Sequence, residues 1–215
     1  MAAPIAGVYE EATLGHAAIV RAYVSLGANL GDAPATLGLA VRALAALPGV
    51  RLRDVSRLYL TAPVGVVDQP DFHNAAVALD VPRGATPASG ALALAVALKG
   101  LERSLGRVPG QRWGPRAVDL DLVVFGRHRI HVPRGAAARS ADPARTGVRW
   151  LDVPHASARE RAFVLAPLAD LAPRLVPPGW RVTVAHALAE RRAAEGDDAV
   201  RVVGTWDPRL GRWAG

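Results

Sequence analysis

The sequence lacks cysteine altogether, and its 26 basic side chains include a single lysine, Lys99. Without cysteine, disulfides, cysteine-ligated zinc, iron–sulfur clusters and thiol catalysis are excluded. No apolar run is long and uninterrupted enough to span a bilayer. The first residues do not form a basic region followed by an apolar stretch, which a secretory signal requires. We therefore expect a cytoplasmic protein with no membrane partner.

Aromatic residues make up only 5% of the 215 residues, whereas the net charge is +7 and almost all of the positive charge is arginine. A basic balance suits polyanionic partners, either nucleotide phosphates or nucleic acid. Biased genome composition would give the same excess of Ala, Arg, Gly and Pro. The length and the hydrophobic content of 51% indicate one domain with a substantial core.

Hydrophobic periodicity predicts the core of the fold. Strands are predicted at 19–26, 50–61, 72–81 and 118–125, and helices at 34–47 and 87–106. The order β-α-β-β-α-β is typical of the ferredoxin-like α+β fold, an antiparallel sheet with helices on one face. We expect two further C-terminal helices at 163–171 and 182–194, a short strand at 201–206 and then a loose chain end.

This reading gives one domain at 19–195 with flexible loops. Residues 1–18 are predicted to be a loose N-terminal extension and residues 196–215 a C-terminal extension. The unpatterned segment 134–149, rich in Gly, Pro, Ala and Arg, is predicted to be a mobile insertion. The turn at 27–32 lacks the ending of a P-loop and is interpreted as structural.

The most informative stretch runs from Gly106 to Gly126. Asp119 and Asp121 are two apart in a predicted strand, so they project from the same face with Cα atoms roughly 7 Å apart. Adjacent carboxylates repel each other unless a cation lies between them, and hard oxygens suit Mg²⁺. Arginines just upstream offer guanidinium forks for phosphate. The pattern favours phosphoryl chemistry on a nucleotide, although a solvated strand edge beside an ordinary surface loop would look similar.

The segment Arg107 to Asp121, which contains RWGPR followed by DLD, resembles the signature of the 6-hydroxymethyl-7,8-dihydropterin pyrophosphokinase family. Further stretches at 25–32, 61–65, 68–75 and 153–163 resemble that family in the same order, so the likeness covers roughly residues 20 to 190. It implies a transferase that moves diphosphate from ATP to the hydroxymethyl group of the pterin and releases AMP, in tetrahydrofolate biosynthesis.

The resemblance also implies site residues and cofactors. Asp119 and Asp121 would hold two Mg²⁺ ions, and Arg107 and Arg116 would be catalytic, with ATP as co-substrate. The residues implied for ATP binding are Glu102, Arg107, Arg112, Trp113, Arg116, His155 and Arg161. Those implied for pterin binding are Thr61, Val64, Gly65, Phe72, Asn74, Asp119 and Phe163.

Two departures from the family pattern concern the nucleotide side of this site. The loop at 108–111 is short and uncharged where better-known members carry further basic residues. Ala156 follows His155 where an aromatic hydroxyl is common, which removes one phosphate donor. We therefore expect loop closure to be assisted by fewer contacts.

Two other classes of function compete with this reading. An RNA-recognition module shares the βαββαβ order but needs exposed aromatics on its central strands, and the strand at 72–81 offers only Phe72. A non-catalytic interaction domain would leave Asp119 and Asp121 without a purpose. We expect a monomer that binds small-molecule substrates and no nucleic acid.

Overall fold

A computed structural model describes residues 18–63, 65, 67–108, 114–133 and 149–215, with the backbone alone at 149 and 150. Nearly all of the predicted N-terminal extension and of the predicted insertion lies outside these residues. In the described part of the chain, none of the helices combines the length and apolar character needed to cross a membrane.

Nine strands and four α-helices are found in the described residues. In chain order they are β1 (Ile19–Ala28), α1 (Ala33–Ala45), β2 (Arg51–Val55), β3 (Leu58–Thr61), β4 (Phe72–Pro82), α2 (Pro87–Ser104), β5 (Asp119–Phe125), β6 (Ile130–Pro133), β7 (Arg149–Val153), α3 (Ala162–Leu171), α4 (Val184–Glu195), β8 (Arg201–Asp207) and β9 (Arg212–Ala214).

Seven of the strands form one antiparallel sheet in the order β5-β1-β4-β3-β8-β9, with β2 also paired to β4. The long central strands β1 and β4 pair from Ile19 opposite Pro82 to Ala28 opposite His73. The predicted α+β, ferredoxin-like arrangement is confirmed. Strands β6 and β7, which the sequence did not predict, form a separate hairpin that flanks the segment predicted as an insertion.

Local sequence signals explain where the first two helices begin. The Asp32 carboxylate accepts a hydrogen bond from the backbone of Ala35 at 3.0 Å and caps α1. Thr86 and Ser89 form a reciprocal capping box at the start of α2. Both helices pack on one face of the sheet, against a core that includes Leu26, Leu79 and other buried residues.

Helices α3 and α4 cover part of the opposite face. They pack with Tyr59 of β3 and with Val123 and Val124 of β5 in a second apolar cluster. The sheet is therefore sandwiched between two helical layers. On the α3 side, part of the sheet is not covered by the described helices, and polar side chains of the sheet are accessible to a ligand there.

The prediction of one strand at 50–61 is wrong, because the chain breaks at Ser56 and Arg57 into β2 and β3. The Ser56 hydroxyl accepts a hydrogen bond from the backbone of Ala76 at 2.8 Å and donates one to Arg57 O at 2.7 Å. The Arg57 backbone donates to Asp170 at 3.0 Å. These bonds replace strand pairing, and their distant partners are invisible to local pattern.

The short strand predicted at 201–206 is present as β8, but the prediction of a loose chain end after it is wrong. Strand β8 pairs with β3, and β9 pairs with β8, so the segment predicted as an extension lengthens the main sheet. Trp206 and Trp213 meet edge to face with ring centroids 4.7 Å apart. The indole of Trp213, which is 8% exposed, donates to Ser56 O at 2.8 Å. A three-residue strand gives too short a pattern to be recognised from sequence.

Asp170 on α3 joins this helix to β3. Both of its oxygens lie 2.9 Å from the Tyr59 hydroxyl, and one lies 2.5 Å from the Arg57 guanidinium. Burial and the Asp170 carboxylate both raise the pKa of Tyr59. The buried phenol therefore depends on this carboxylate as its hydrogen-bond acceptor.

Asp170→Asn is expected to lower the free energy of unfolding by about 2–4 kcal/mol, because it weakens a charged, partly buried network. Urea unfolding followed by circular dichroism measures this loss. Glu190→Gln is the matched control, because its pair with Arg159 is exposed and 3.5 Å long; it should change stability by less than about 0.5 kcal/mol. Equal effects of the two substitutions would contradict a special role for Asp170.

Candidate active site

The strand register brings an amide and two carboxylates onto one face. Asn74 on β4 pairs with Gly27 on β1, and Gly27 pairs with Asp119 on β5. Directly paired residues project to the same side of a sheet. A Cβ atom at Gly27 would lie 3.3 Å from Asn74 Oδ1, so the missing side chain leaves room between Asn74 and Asp119. Asp121 projects on the same face, opposite Ser25.

The amide of Asn74 is held in a fixed orientation. It donates to the Thr61 hydroxyl at 2.8 Å and to Phe72 O at 3.2 Å. Asn74 is 4% exposed and Thr61 is 6% exposed. Three residues predicted to bind the pterin are thus brought together at the junction of β3 and β4.

Of the other residues predicted to bind the pterin, Phe163 and Gly65 lie in the described part of the chain. Phe72 begins β4 and Phe163 stands in the first turn of α3, and both are half-buried. The Arg161 guanidinium lies 5.7 Å from the centroid of the Phe163 ring. Gly65 has a φ of 90°, which favours glycine. Val64 lies outside the described residues, as do Arg112 and Trp113 of the predicted nucleotide site.

Three carboxylates and three cations form a charged cluster beside Asn74. Its members are Glu102, Asp119 and Asp121 with Lys99, Arg107 and Arg116. Arg107 and Arg116 both form ion pairs with Asp119. Arg107 also lies 2.7 Å from Glu102. The two predicted catalytic arginines and the two predicted metal ligands therefore share one site.

The end of α2 is tied to β5, the outer strand of the sheet in the described part of the chain. The Leu120 backbone donates to Glu102 at 2.7 Å and accepts from the Lys99 ammonium at 3.0 Å. An edge strand leaves such backbone groups unpaired unless something else satisfies them. Here Lys99 and Glu102, three residues apart on α2, bond these backbone groups and so fix the helix against β5.

The electrostatics of the cluster keep Asp119 ionised. Burial raises its pKa, but the charges of Lys99, Arg116 and Arg107 outweigh burial and lower the pKa of Asp119 to about 2. For Lys99, burial lowers the pKa, and the nearby carboxylates reverse this and raise it. Burial raises the pKa of Glu102, against the effect of Lys99 and Arg107. Lys99 and Asp119 are therefore both charged at neutral pH.

The donor set fits a divalent cation that arrives with phosphate. Among the described residues, no group of three or more His, Cys, Asp or Glu is placed to hold a metal ion. Mg²⁺ commonly takes only one or two carboxylates and completes its shell with phosphate oxygens and water. Asp119 and Asp121 supply two, and both already contact cationic side chains. Phosphates would offer those side chains new partners.

A cavity of about 250 Å³ opens next to the cluster, between α2, β5 and β7. Its walls include the apolar side chains Leu98 and Leu122, and its polar groups include Lys99, Asp121 and His155. The His155 backbone donates to Val123 O at 2.9 Å, and this bond continues the covering of the β5 edge. The cavity therefore lies along the β5 edge, between Leu120, whose backbone is bonded by α2, and Val123, whose carbonyl is bonded by His155.

Sequence reasoning missed two polar residues that shape the site. Asn29, which is 4% exposed, donates to Gln69 and to Pro70 O at 3.0 Å each and accepts from the Arg116 backbone at 2.8 Å. The turn interpreted as structural therefore joins the loop before β4 to the segment before β5. Lys99 was also missed. Lys99 is the single lysine of the sequence and stands three residues before Glu102, and these two facts could have indicated its role.

Comparison with known proteins decides the family. The family model for 7,8-dihydro-6-hydroxymethylpterin-pyrophosphokinase (HPPK) matches residues 23–173. The chain belongs to this family. It is 42% identical over 163 residues to the Pseudomonas aeruginosa 2-amino-4-hydroxy-6-hydroxymethyldihydropteridine pyrophosphokinase, covering 76% of this chain and 87% of that protein. The Bacillus subtilis pyrophosphokinase of the same name is 37% identical over 150 residues, 70% of this chain and 77% of that protein.

Solved structures agree on the fold. The chain superposes on wild-type Plasmodium falciparum HPPK-DHPS with a TM-score of 0.65 and 14% identity, covering 92% of this chain and 50% of that chain. At this identity the likeness supports the fold alone, and this chain spans about half the length of that protein. The resemblance to the HPPK family, and the pyrophosphokinase class that it implies, are confirmed by the family match and the two bacterial relatives.

Proposed function

We propose that this chain transfers the terminal diphosphate of ATP to the hydroxymethyl group of 6-hydroxymethyl-7,8-dihydropterin, releasing AMP, in tetrahydrofolate biosynthesis. Family membership supports the reaction class. The observation that carries the proposal is the row Asn74–Gly27–Asp119 across three strands. It places a fixed amide, suited to a heterocycle, beside a carboxylate and arginine cluster suited to phosphate.

The nucleotide base is assigned to the cavity beside α2. Sites for drug-sized ligands span about 300–1,000 Å³, so a cavity of about 250 Å³ holds a base rather than a whole nucleotide. Leu98 and Leu122 would flank the base. The phosphates would then run past His155 and Asp121 towards the arginines, with Arg161 and the undescribed Arg112 and Trp113 as further contacts.

Arg107 and Arg116 bind the phosphates in this proposal. Guanidinium forks match phosphate oxygens, and the negative charge of the phosphates competes with Asp119 for them. Asp119 and Asp121 would hold two Mg²⁺ ions, which supply neutralisation of the phosphate charge when bound. Glu102 keeps the end of α2 and the residues that directly follow it in place through Leu120 and Arg107.

The pterin is assigned to the junction of β3 and β4. Asn74 would read its polar edge, with Thr61, Val64 and Gly65 around it and with Phe72 and Phe163 on its faces, as a flat heterocycle favours. The space left open by Gly27 then directs the hydroxymethyl group towards Asp119.

Positioning and charge neutralisation account for the chemical step, so no general base is assigned. The hydroxymethyl oxygen attacks the β-phosphorus, and the bond from that phosphorus to the oxygen bridging the α- and β-phosphates breaks. AMP leaves with that oxygen, and the proton passes to phosphate or water. The chain contributes the alignment of the hydroxyl, through Asn74, and the neutralisation of the departing charge, through Arg107 and Arg116.

The arrangement of helices argues against the RNA-binding alternative. An RNA-recognition module stacks bases on aromatics of an open sheet face. Here Tyr23 and Tyr59 lie in the apolar cluster beneath α3 and α4. We therefore propose small-molecule substrates and no nucleic acid. The expected monomeric state stays a prediction. The expected cytoplasmic location stays a prediction.

Asn74→Ala is expected to weaken pterin binding by about tenfold to a hundredfold, because a fixed, buried hydrogen-bonding group is lost. ATP affinity should change little, since the cavity lies on the other side of Asp119. Titration with the pterin, in the presence of a non-hydrolysable ATP analogue, measures the change. Thr61→Val removes only the group that orients the amide and should weaken binding less. A larger effect on ATP than on pterin would contradict the assignment.

The proposal is tested by incubating the purified chain with ATP and Mg²⁺, with and without 6-hydroxymethyl-7,8-dihydropterin, and separating the nucleotides. AMP should form only when the pterin and Mg²⁺ are both present. ADP as the product would mean transfer of one phosphoryl group and would overturn the proposal. No turnover by the folded chain would overturn it equally.

A further inference from the structure

Lys99 occupies the position in the cluster where a cation reaches every carboxylate. Its ammonium lies 2.6 Å from Glu102, 3.2 Å from Asp121 and 3.7 Å from Asp119. It also donates to Leu120 O at 3.0 Å. A lysine ammonium is a compact point charge with three donors, and here three hydrogen bonds satisfy them. Lys99 is therefore an internal cation of the carboxylate site.

The arginines of the cluster differ from Lys99 in their position in the chain. Arg107 follows α2 and Arg116 precedes β5, whereas Lys99 stands within α2. Its bond to Leu120 O ties it to β5, and it also lines the cavity. Phosphates that draw the arginines away from Asp119 would leave the ammonium of Lys99 beside Asp121.

The position of Lys99 affects the charge balance of the cluster and therefore its affinity for metal ions. With three cations facing three carboxylates, a divalent ion entering alone meets a site without net negative charge and is repelled by an ammonium at close range. An ion that enters with a polyphosphate brings its own negative charge. The same cluster then attracts the complex of metal ion and polyphosphate.

We propose that Lys99 is a resident counter-ion that keeps divalent metal from binding tightly to the free protein and so makes metal loading depend on nucleotide. This inference rests on the proposed function, in which Asp119 and Asp121 hold the metal. Lys99 acts as a positioning residue, since it holds the carboxylates together before the substrates arrive.

Calorimetric titration with Mn²⁺ in the absence of nucleotide tests the proposal. Lys99→Met keeps most of the side-chain stem but removes the charge, and it should bind Mn²⁺ at least about tenfold more tightly than the unsubstituted chain. The metal-free variant should also melt at a lower temperature and recover when Mn²⁺ is added. Arg103→Gln removes one charge from an exposed position on the same helix and should match the unsubstituted chain.

Two further measurements keep the outcomes distinct. If Lys99→Met does not fold, Lys99→Gln, which retains a donor for Leu120 O, replaces it. Asp121→Asn should lose Mn²⁺ binding in the presence of a non-hydrolysable ATP analogue. If it binds as before, the metal assignment is wrong and the inference falls with it. If Asp121→Asn loses binding while neither Lys99 variant binds Mn²⁺ more tightly without nucleotide, only the counter-ion proposal is overturned.

Discussion

Asp121→Ala is expected to slow diphosphate transfer by at least about 1,000-fold while leaving the fold intact, because it removes one of two carboxylates assigned to the metal. The side chain is 36% exposed and its nearest cation, Lys99, is 41% exposed, so the ion pair contributes little to stability. The turnover number for AMP release, with thermal melting of the same sample, measures both quantities.

Asp198→Ala serves as the control for that substitution. Asp198 is exposed and lies far along the chain from the cluster, so the change removes one carboxylate and should alter neither turnover nor melting temperature. Retained turnover of Asp121→Ala at ordinary Mg²⁺ concentration would remove this residue from the metal site. Loss of folding in Asp121→Ala would instead show that the cluster is structural.

Arg116→Ala is expected to slow the chemical step by about 1,000-fold and to change pterin affinity by less than about threefold. Arginines that neutralise a transferring phosphoryl group are worth about 10³–10⁵ in rate. The loop should keep its position, because Asn29 holds Arg116 through its backbone N–H and C=O, which alanine retains. Rapid-quench single-turnover kinetics and pterin titration separate the two effects.

Arg103→Ala is the matched control for Arg116→Ala, since Arg103 is an exposed arginine on α2 that is not part of the charged cluster. It should leave rate and affinity unchanged. Arg116→Lys keeps the charge without the planar fork and should recover only part of the rate. Equal losses of rate and pterin affinity in Arg116→Ala would show that Arg116 only binds substrate.

The main elements of the fold were predictable from local pattern. The strands around Leu26, Leu79 and Leu122 alternate or run wholly apolar, and Asp32 and Thr86 mark helix starts. The break at Ser56 was not predictable, because its partners, Ala76 and Asp170, are distant in sequence. Strand β9 was missed because its three residues give too short a pattern, and its Trp213 is held by Ser56, which is distant in sequence.

The parts of the site that depend on local geometry were predictable, and the parts that depend on tertiary contacts were not. Asp119 and Asp121 share a face because strands alternate, which needs no tertiary information. The nearness of Asn74 to Asp119 depends on the register of three strands. The role of Lys99 depends on β5 being an edge strand whose Leu120 carbonyl needs a donor. Such relations follow from the assembled sheet and not from residue spacing.

The most direct measurement of the central claim follows the fate of the β-phosphorus. Purified chain, Mg²⁺, the pterin and ATP labelled at the β-phosphate are mixed, and products are separated after one turnover. The account predicts label in the pterin product, with both terminal phosphates present, and none in the AMP released. Label retained in a nucleotide diphosphate, with one phosphate on the pterin, would contradict diphosphate transfer at the cluster of Asp119, Asp121, Arg107 and Arg116.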